Sequence, residues 1–398
     1  MKAGWQTKKL GDLLDVQNGY AFSSKDYSQT GHFVMRIGNV QNGYISLADP
    51  KFISLPKDGK LQRFVLSDGD ILVSLTGNVG RIGVIQKEHL PAALNQPVAR
   101  LTIREDSPAA KEFLLFFLYS DWFREELTGA GHGAAQQNVS TNDLVEIQLP
   151  IPPVPEQRRI VGILDEAFEG LATAKANAEQ NLQNARALFE SHLQAVFTQR
   201  GHGWVDTRLE EVCGLQNGFA FKSSTFKPSG APILRISNIQ DGRIDADNRL
   251  VFFDPKDYRE NLDRYRIVEG DLLIAMSGAT TGKLGFNTES TVYYLNQRVG
   301  KFEPSDKLNK RFLYHFLSTK VEENLRISAG AAQPNLSTEQ IKGFVLPLPS
   351  VDEQERIVDV LETLSEETQR LESLYQRKLA ALDELKKSLL HRAFSGML

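Results

Sequence analysis

Two amide pairs recur in the chain, Asn95-Gln96 after Leu94 and Asn296-Gln297 after Leu295. A carboxamide offers a donor and an acceptor side by side, which matches the N6/N7 edge of adenine. The same pair at a strand start also suits ordinary structural hydrogen bonding, and residue type leaves both readings open. A glycine-rich stretch recurs too, GNVGRIG at 77–83 and GATTGKLG at 278–285. A nucleotide P-loop needs four residues between its glycines, then Lys-Ser or Lys-Thr. Here Gly278 and Gly282 enclose three, Leu284 follows Lys283, and the first copy has Arg81 and no lysine. The stretch reads as a tight turn joining two strands, or as a loop whose amides and hydroxyls (Thr76, Asn78, Ser277, Thr280, Thr281) face a phosphate. Arg36 and Arg235 are expected mid-strand with Asn39 and Asn238 three residues on, in buried hydrogen bonding or against a base. Gln136, Gln137 and Asn138, with Gln333 and Asn335 in the second copy, fall in a small-residue loop before Ser140 and Ser337. Those serines are expected to be helix N-caps.

Catalytic patterns are missing. The nearest string to an amino-methyltransferase tetrapeptide, Leu149-Pro-Ile-Pro-Pro-Val154, has the wrong residues and heads a helix. The seven histidines show no metal-ligand spacing, and Gly131-His-Gly133 and Gly201-His-Gly203 read as flexible joints. No Gly-x-Ser-x-Gly elbow occurs, and no carboxylate motif recurs in both halves. Cys213 is the only cysteine, which excludes intramolecular disulfides and a zinc thiolate cluster. The chain is expected to be non-catalytic and to bind no cofactor or metal itself. The longest apolar run, residues 113–119, is far short of the ~20 residues of a membrane span. With no leader read at its start, a cytoplasmic location away from membranes is expected. The net charge of −4 does not advertise a nucleic-acid partner, but residues 155–200 and 352–398 carry the whole acidic excess. Elsewhere 34 basic and 34 acidic residues balance, so the globular parts are neutral rather than basic.

The elements that would position these residues are written twice. QNGYAF at 17–22 recurs as QNGFAF at 216–221, and MRIGNV at 35–40 as LRISNI at 234–239. AAQQNVS at 134–140 recurs as AAQPNLS at 331–337, and LPIPPVPEQRRIV at 149–161 as LPLPSVDEQERIV at 346–358. In each copy about 150 residues show short β-branched or aromatic runs (33–40, 69–75, 81–85 and 97–103 in the first) broken by Gly, Asn, Asp or Pro. That pattern predicts a twisted, mostly antiparallel sheet with a helix near 111–127. The steps VQNGY (16–20 and 40–44), LQNGF (215–219) and IQDGR (239–243) favour tight turns, with Asn18 and Asn217 as turn formers. After the proline step the period becomes helical, through Leu164, Phe168 and Leu171 in one copy and Ile357, Leu361 and Leu364 in the other. Each tract predicts a helix of about 40 residues, roughly 60 Å long, whose natural partner is its duplicate. Ser350 and Glu353 have capping-box spacing. The fold class is α+β: domains at 1–150 and 201–347, with long helices at 151–200 and 348–398 packed as an antiparallel coiled coil.

Those ordered strings, together with AVFTQRGHGW at 195–204 and RAFSGML at 392–398, make the chain resemble the specificity subunit of a Type I restriction-modification enzyme. The resemblance covers essentially the whole sequence. It implies two target-recognition domains, each reading one half of a split double-stranded DNA site, with the helices as spacer. It also implies docking of two methyltransferase subunits and of ATP-driven translocase/endonuclease subunits. Those partners would use S-adenosylmethionine, ATP and Mg2+ and methylate adenine, while this chain binds no cofactor. Segments 46–62 and 245–263 differ, so two different half-sites and an asymmetric target are expected. Residue type and repeat position mark Lys25, Thr76, Asn78, Arg81, Asn95, Gln96, Lys222, Thr280, Thr281, Lys283, Asn296 and Gln297 as DNA-facing candidates. An alternative is a scaffold whose duplicated β domains bind protein or glycan ligands on a helical stalk.

Overall fold

The computed structural model describes residues 4–55, 59–129, 138–240, 242–246, 249–320 and 335–398. The chain forms two compact units, residues 1–180 with 376–398, and residues 181–375. Their boundaries fall inside the two long helices. Each unit therefore contains one β-rich domain and about half of each helix.

In the first unit the run Ile71-Leu-Val-Ser74 is buried at every position because both of its faces are covered. Ile71 and Val73 join the core under the helices, whereas Leu72 joins the core beneath a second sheet. This strand lies third in the antiparallel order Leu14–Asn18, Val98–Ile103, Ile71–Ser74, Ile82–Val84. The second sheet orders Ala92–Leu94, His32–Met35, Phe52–Ile53 and Tyr27–Ser28, and its first pair is parallel. The helix expected near 111–127 is two helices, α1 (Lys111–Leu118) and α2 (Asp121–Gly129). The break comes at Ser120, whose hydroxyl accepts the Phe123 amide at 3.2 Å and starts the second helix. Next come α3 (Thr141–Glu146) and α4 (Val154–Thr198), the latter with 45 residues and about 68 Å long. Ser140 caps α3 by accepting the Asp143 amide.

The second unit repeats the plan. After α5 (Leu209–Val212), its larger sheet begins Cys213–Asn217, Val299–Pro304, Leu272–Ala275, Leu284–Phe286. Leu272 and Ile274 face the helical core, and Leu273 and Ala275 face the second sheet. Helices α6 (Lys310–Ser318) and α7 (Thr338–Lys342) precede α8 (Val351–Phe394), and Ser337 caps α7 through the Gln340 amide.

The helical halves pack antiparallel inside each unit. In the first, Phe394 near the end of α8 lies 5.2 Å from Phe113 and 5.3 Å from Phe117 of α1, and Lys175 of α4 pairs with Asp383 at 3.0 Å. In the second, Phe197 near the end of α4 lies 5.3 Å from Phe312 and 5.5 Å from Phe316 of α6, and Arg186 pairs with Glu372 at 3.1 Å. Inside the first unit Arg159 Nη2 also donates to the Leu398 carbonyl at 2.8 Å, so a rise of sixteen residues from there to Lys175 matches a fall of fifteen to Asp383, which is antiparallel register. The endings AVF and RAF recur because each closes the core over a domain's short helix.

The Glu-Gln step recurs for an equally local reason. Gln157 is fully buried at the start of α4; it accepts the Ala110 amide at 2.7 Å and donates to the carbonyls of Pro108 and Pro152 at 2.9 and 2.8 Å. Gln354, also fully buried, repeats this with the Asn309 amide (2.7 Å) and the carbonyls of Lys307 and Pro349 (2.9 and 3.0 Å). One carboxamide thus ties each long helix to the loop that enters the domain's short helix.

The copies part company inside that short helix. Phe116 of α1 meets Phe168 edge to face at 5.5 Å, and its counterpart in α6 is His315, 5% exposed with Nε2 unpartnered. Burial, aided by the Arg311 charge, pulls the His315 imidazole down to about 4. The unfolded imidazole takes up its proton below about pH 6.5, whereas the folded one stays neutral until about 4. Stability is therefore fully present above about pH 6.5 and lost as the pH falls towards 4. Urea titrations at pH 7 and pH 5 should show the second unit losing about 2 kcal/mol from this group. His315→Phe, which restores the first copy's residue, should remove that part of the loss; an equal loss in both proteins would exclude the account.

Candidate nucleic-acid interface

Strand register brings the recurring strings to one end of each main sheet. Asn18 pairs with Ala99, and Ser74 with Val98, so the chain leaves two strands and enters the third at the same edge. The loop at 75–81 is thereby placed beside Asn95–Pro97 and Gly19–Phe22. An isolated bridge joins Tyr20 to Asn95 and another joins Thr76 to Asn138. The second unit reproduces both, Phe219 with Asn296 and Ser277 with Asn335. The arginine-asparagine string lies alongside, since Met35 accepts the Asn95 amide at 3.3 Å and Leu234 accepts the Asn296 amide at 3.2 Å. Gln157 and Gln354 grip the chain beyond the other end of the central strand, so the loop cluster and the helix anchor occupy opposite ends of each domain.

The pentapeptide VQNGY does different work at its two positions. Gly43, at φ +94°, closes a two-residue turn between Val40–Gln41 and Tyr44–Ile45, as expected of an Asn-Gly step. Asn18-Gly19 and Asn217-Gly218 are not hairpin turns, which corrects the turn-forming role expected of Asn18 and Asn217. Each asparagine closes a strand, and neither glycine has positive φ. A Cβ on Gly19 would stand 2.3 Å from the Asn95 carbonyl carbon, and one on Gly218 would stand 2.1 Å from the Asn296 oxygen. Glycine is there so that one backbone can pass against another.

Arg36 and Arg235 do not sit mid-strand; each is the residue just after its strand and caps the 3₁₀ segment that follows. Asn39 Oδ1 accepts the Arg36 amide, and Asn238 Oδ1 the Arg235 amide, both at 3.0 Å, which turns the chain into a 3₁₀ segment. Arg36 Nη2 donates to the carbonyl and the carboxylate of Asp49, whose carboxyl is held below its ordinary range by that bond and by Lys51. Arg235 Nη2 donates to the Arg249 carbonyl at 2.8 Å. Among the described residues Asp49 (φ 49°) and Arg249 (φ 51°) are the two non-glycine residues with positive φ, so the arginines hold matching strained turns whose sequences differ. The guanidinium contacts are bonds to the chain itself, but they lie at the surface and are not the buried bonding expected.

The twelve candidates divide by exposure. Lys25, Asn78, Gln96, Lys222 and Gln297 are exposed, and Thr76, Arg81, Asn296, Thr280 and Lys283 are half-buried. Arg81 Nη1 donates to Gln41 at 2.7 Å, and Thr280 Oγ1 to the Ile236 carbonyl at 3.0 Å. Asn95 and Thr281 turn inward: Asn95 Oδ1 accepts the Phe22 amide and its Nδ2 donates to the Gln96 carbonyl, while Thr281 Oγ1 donates to the Gly278 carbonyl. Thr76, Asn78, Arg81, Asn95 and Gln96 belong to the loop cluster; Lys25 and Lys222 lie farther along the chain, at the short 3₁₀ segments that follow QNGYAF and QNGFAF. Gln136, Gln137 and Gln333 lie outside the described residues. Among the described residues no cluster of three His, Cys, Asp or Glu could hold a metal, and no helix is long and apolar enough to cross a membrane. The Cys213 thiol is pushed up to about 12 by burial and offers no thiolate.

Sequence reasoning missed one paired feature. The Arg63 guanidinium lies 4.7 Å over the Phe64 ring, and that of Arg264 lies 4.6 Å over the Tyr265 ring. Both arginines are exposed, and both rings are packed at 5.4 Å against the aromatic of the QNG string, Tyr20 or Phe219. An Arg-aromatic step at the same place ahead of each Gly-Asp strand was the available signal.

Residues 2–183 and 201–379 each match the Type I restriction modification DNA specificity domain. The MjaVIII specificity subunit of Methanocaldococcus jannaschii is 29% identical over 98% of this chain and 92% of its own length. The EcoKI specificity subunit of Escherichia coli is 25% identical over 99% of this chain and 89% of its own. A chain solved in work on assembly and conformational transition of the type I R-M system superposes with TM-score 0.80 at 21% identity, covering 100% of this chain and 99% of that one. The HsdS subunit of Thermoanaerobacter tengcongensis superposes with TM-score 0.61 at 21% identity, covering 100% and 98%. With two copies of the specificity domain spanning nearly all of its length, the chain belongs to the Type I restriction-modification DNA specificity family.

Proposed function

We propose that each β-rich domain reads one half of a split, asymmetric DNA site, and that the chain catalyses nothing itself. A Type I specificity subunit supplies DNA sequence recognition to a restriction-modification assembly. The observation that carries the finer reading is the repeated architecture: the same strings frame one end of each sheet, while segments 46–62 and 245–263 differ in sequence. A common frame with divergent inserts suits two domains doing the same task on different sequences. Gln96, Asn78, Gln297 and the lysines Lys25 and Lys222 are exposed and remain candidates for DNA contact, with Thr76, Arg81, Asn296, Thr280 and Lys283 at the margin. Asn95 and Thr281 would act by shaping their loops. The chain would work in the cytoplasm with two methyltransferase subunits and with translocase/endonuclease subunits. S-adenosylmethionine, ATP and Mg2+ would be bound by those partners. Near-neutral domains fit this arrangement, because partner subunits can supply phosphate contacts. Family membership disfavours the protein- or glycan-binding scaffold.

Co-expression with the methyltransferase subunit, followed by genome-wide mapping of methylated adenines, tests the proposal. Methylation at one split, asymmetric sequence should require both chains. Methylation by this chain alone, or an unsplit recognised sequence, would overturn it.

A further inference from the structure

We propose that Arg63 and Arg264 are a matched pair of phosphate contacts, one in each domain, that bind DNA without reading its sequence. The inference rests on the DNA-binding reading above. The guanidinium carbon lies over its neighbouring ring, 4.7 Å from the Phe64 centroid in one domain and 4.6 Å from the Tyr265 centroid in the other. Both arginines are exposed, and a guanidinium held over a ring still has N–H donors with which to meet a phosphate. Among the described residues neither guanidinium has a carboxylate partner; Arg264 Nη2 donates to the neighbouring Tyr265 hydroxyl at 2.6 Å.

The support behind each arginine also matches. Gln17 Nε2 donates to the Arg63 carbonyl at 2.9 Å, and Gln216 Nε2 to the Arg264 carbonyl at 2.5 Å. The first residue of the QNG string therefore fixes the backbone of the arginine, and its aromatic packs the ring beneath the guanidinium. Tethering of this kind lowers the side-chain entropy lost on binding. In the first domain the arginine borders an open groove of about 640 Å³ lined by Asn18, Gly19, Tyr20 and Ala21. The divergent segments end at Gln62 and Asp263, one residue before each arginine. A residue common to domains that read different half-sites cannot supply the difference between them. It can supply what every duplex shares, which is phosphate.

The test uses the chain assembled with its methyltransferase subunits, Arg63→Gln, Arg264→Gln and the double variant. Affinity for the mapped target duplex and for a scrambled duplex is measured across a salt series, with thermal melting to confirm folding. Each single variant should weaken binding to both duplexes by a similar factor, about 5–10, and reduce the log K against log salt slope by about 1; the double variant should reduce it by about 2. Arg63→Lys keeps the charge and should keep the slope, even where stacking is lost. An unchanged slope in variants that melt like the parent, or a loss confined to the target duplex, would overturn the inference. If the parent complex itself fails to distinguish target from scrambled DNA, the DNA-recognition reading fails instead.

Discussion

Gly19→Ala should destabilise the first unit by about 3 kcal/mol or more, whereas Gly43→Ala in the same pentapeptide should cost only about 1. The two glycines have identical neighbours in sequence and different obstacles in space. A methyl on Gly19 would meet the Asn95 carbonyl carbon at 2.3 Å, its oxygen at 2.5 Å and the Gln96 nitrogen at 2.7 Å, all of them backbone atoms. That backbone is fixed by the Tyr20–Asn95 bridge and by the Gly19 amide bond to Val98, so it cannot shift without breaking the strand end. A Cβ on Gly43 would meet nothing within 4 Å, and the cost is only that of a left-handed backbone carrying a Cβ. Gly218→Ala should repeat the severe result in the second unit, where the Asn296 oxygen is 2.1 Å away. Calorimetry of the full chain measures all three. Equal costs for Gly19→Ala and Gly43→Ala would refute the close-approach account.

Gln157→Ala and Gln354→Ala should each cost about 3–4 kcal/mol. Every polar atom of these buried carboxamides is used, and truncation orphans one amide and two carbonyls while leaving a cavity at the root of a long helix. Glutamate is the sharper substitution, because a carboxylate would face two carbonyl oxygens in place of the amide N–H groups. In contrast, removing Lys175–Asp383 or Arg186–Glu372 should change stability by less than about 1 kcal/mol, since both pairs are solvent-exposed. Urea unfolding of single variants separates the two classes. A Gln157→Ala chain as stable as its parent would show that the helix is held to the domain by its apolar contacts alone.

The duplication, the sheet, the long helices and the serine caps were legible because each depends on short-range pattern: period 2, period 3.6, or Ser followed three residues later by an acid or amide. What stayed hidden was whatever depends on which distant backbone comes alongside. VQNGY reads as a turn at both positions, yet only the parallel bridge to Asn95 decides that Gly19 is a crossing point. Arg36 reads as a buried strand residue until the left-handed turn at Asp49 supplies its partner. Ser120 interrupts an apolar run that looks like one helix, because its hydroxyl caps the next one. Among the candidate contacts, sequence located the loop cluster but could not tell Gln96, which faces outward, from Asn95, which is spent on its own loop. Arg63 and Arg264 escaped notice because they sit at the edge of the segments that diverge.

The proposed function has each domain read its own half-site from a shared frame. Residues 205–348 and 6–151 begin and end on the same antiparallel pairing, Val205 with Leu348 and Gln6 with Ile151, so one segment can replace the other at matched ends. A chain carrying residues 6–151 in both places, assembled with the methyltransferase subunits, should methylate a symmetric site built from one original half-site repeated in inverted orientation. Methylation of the original asymmetric sequence, or of a site containing neither original half, would contradict the account.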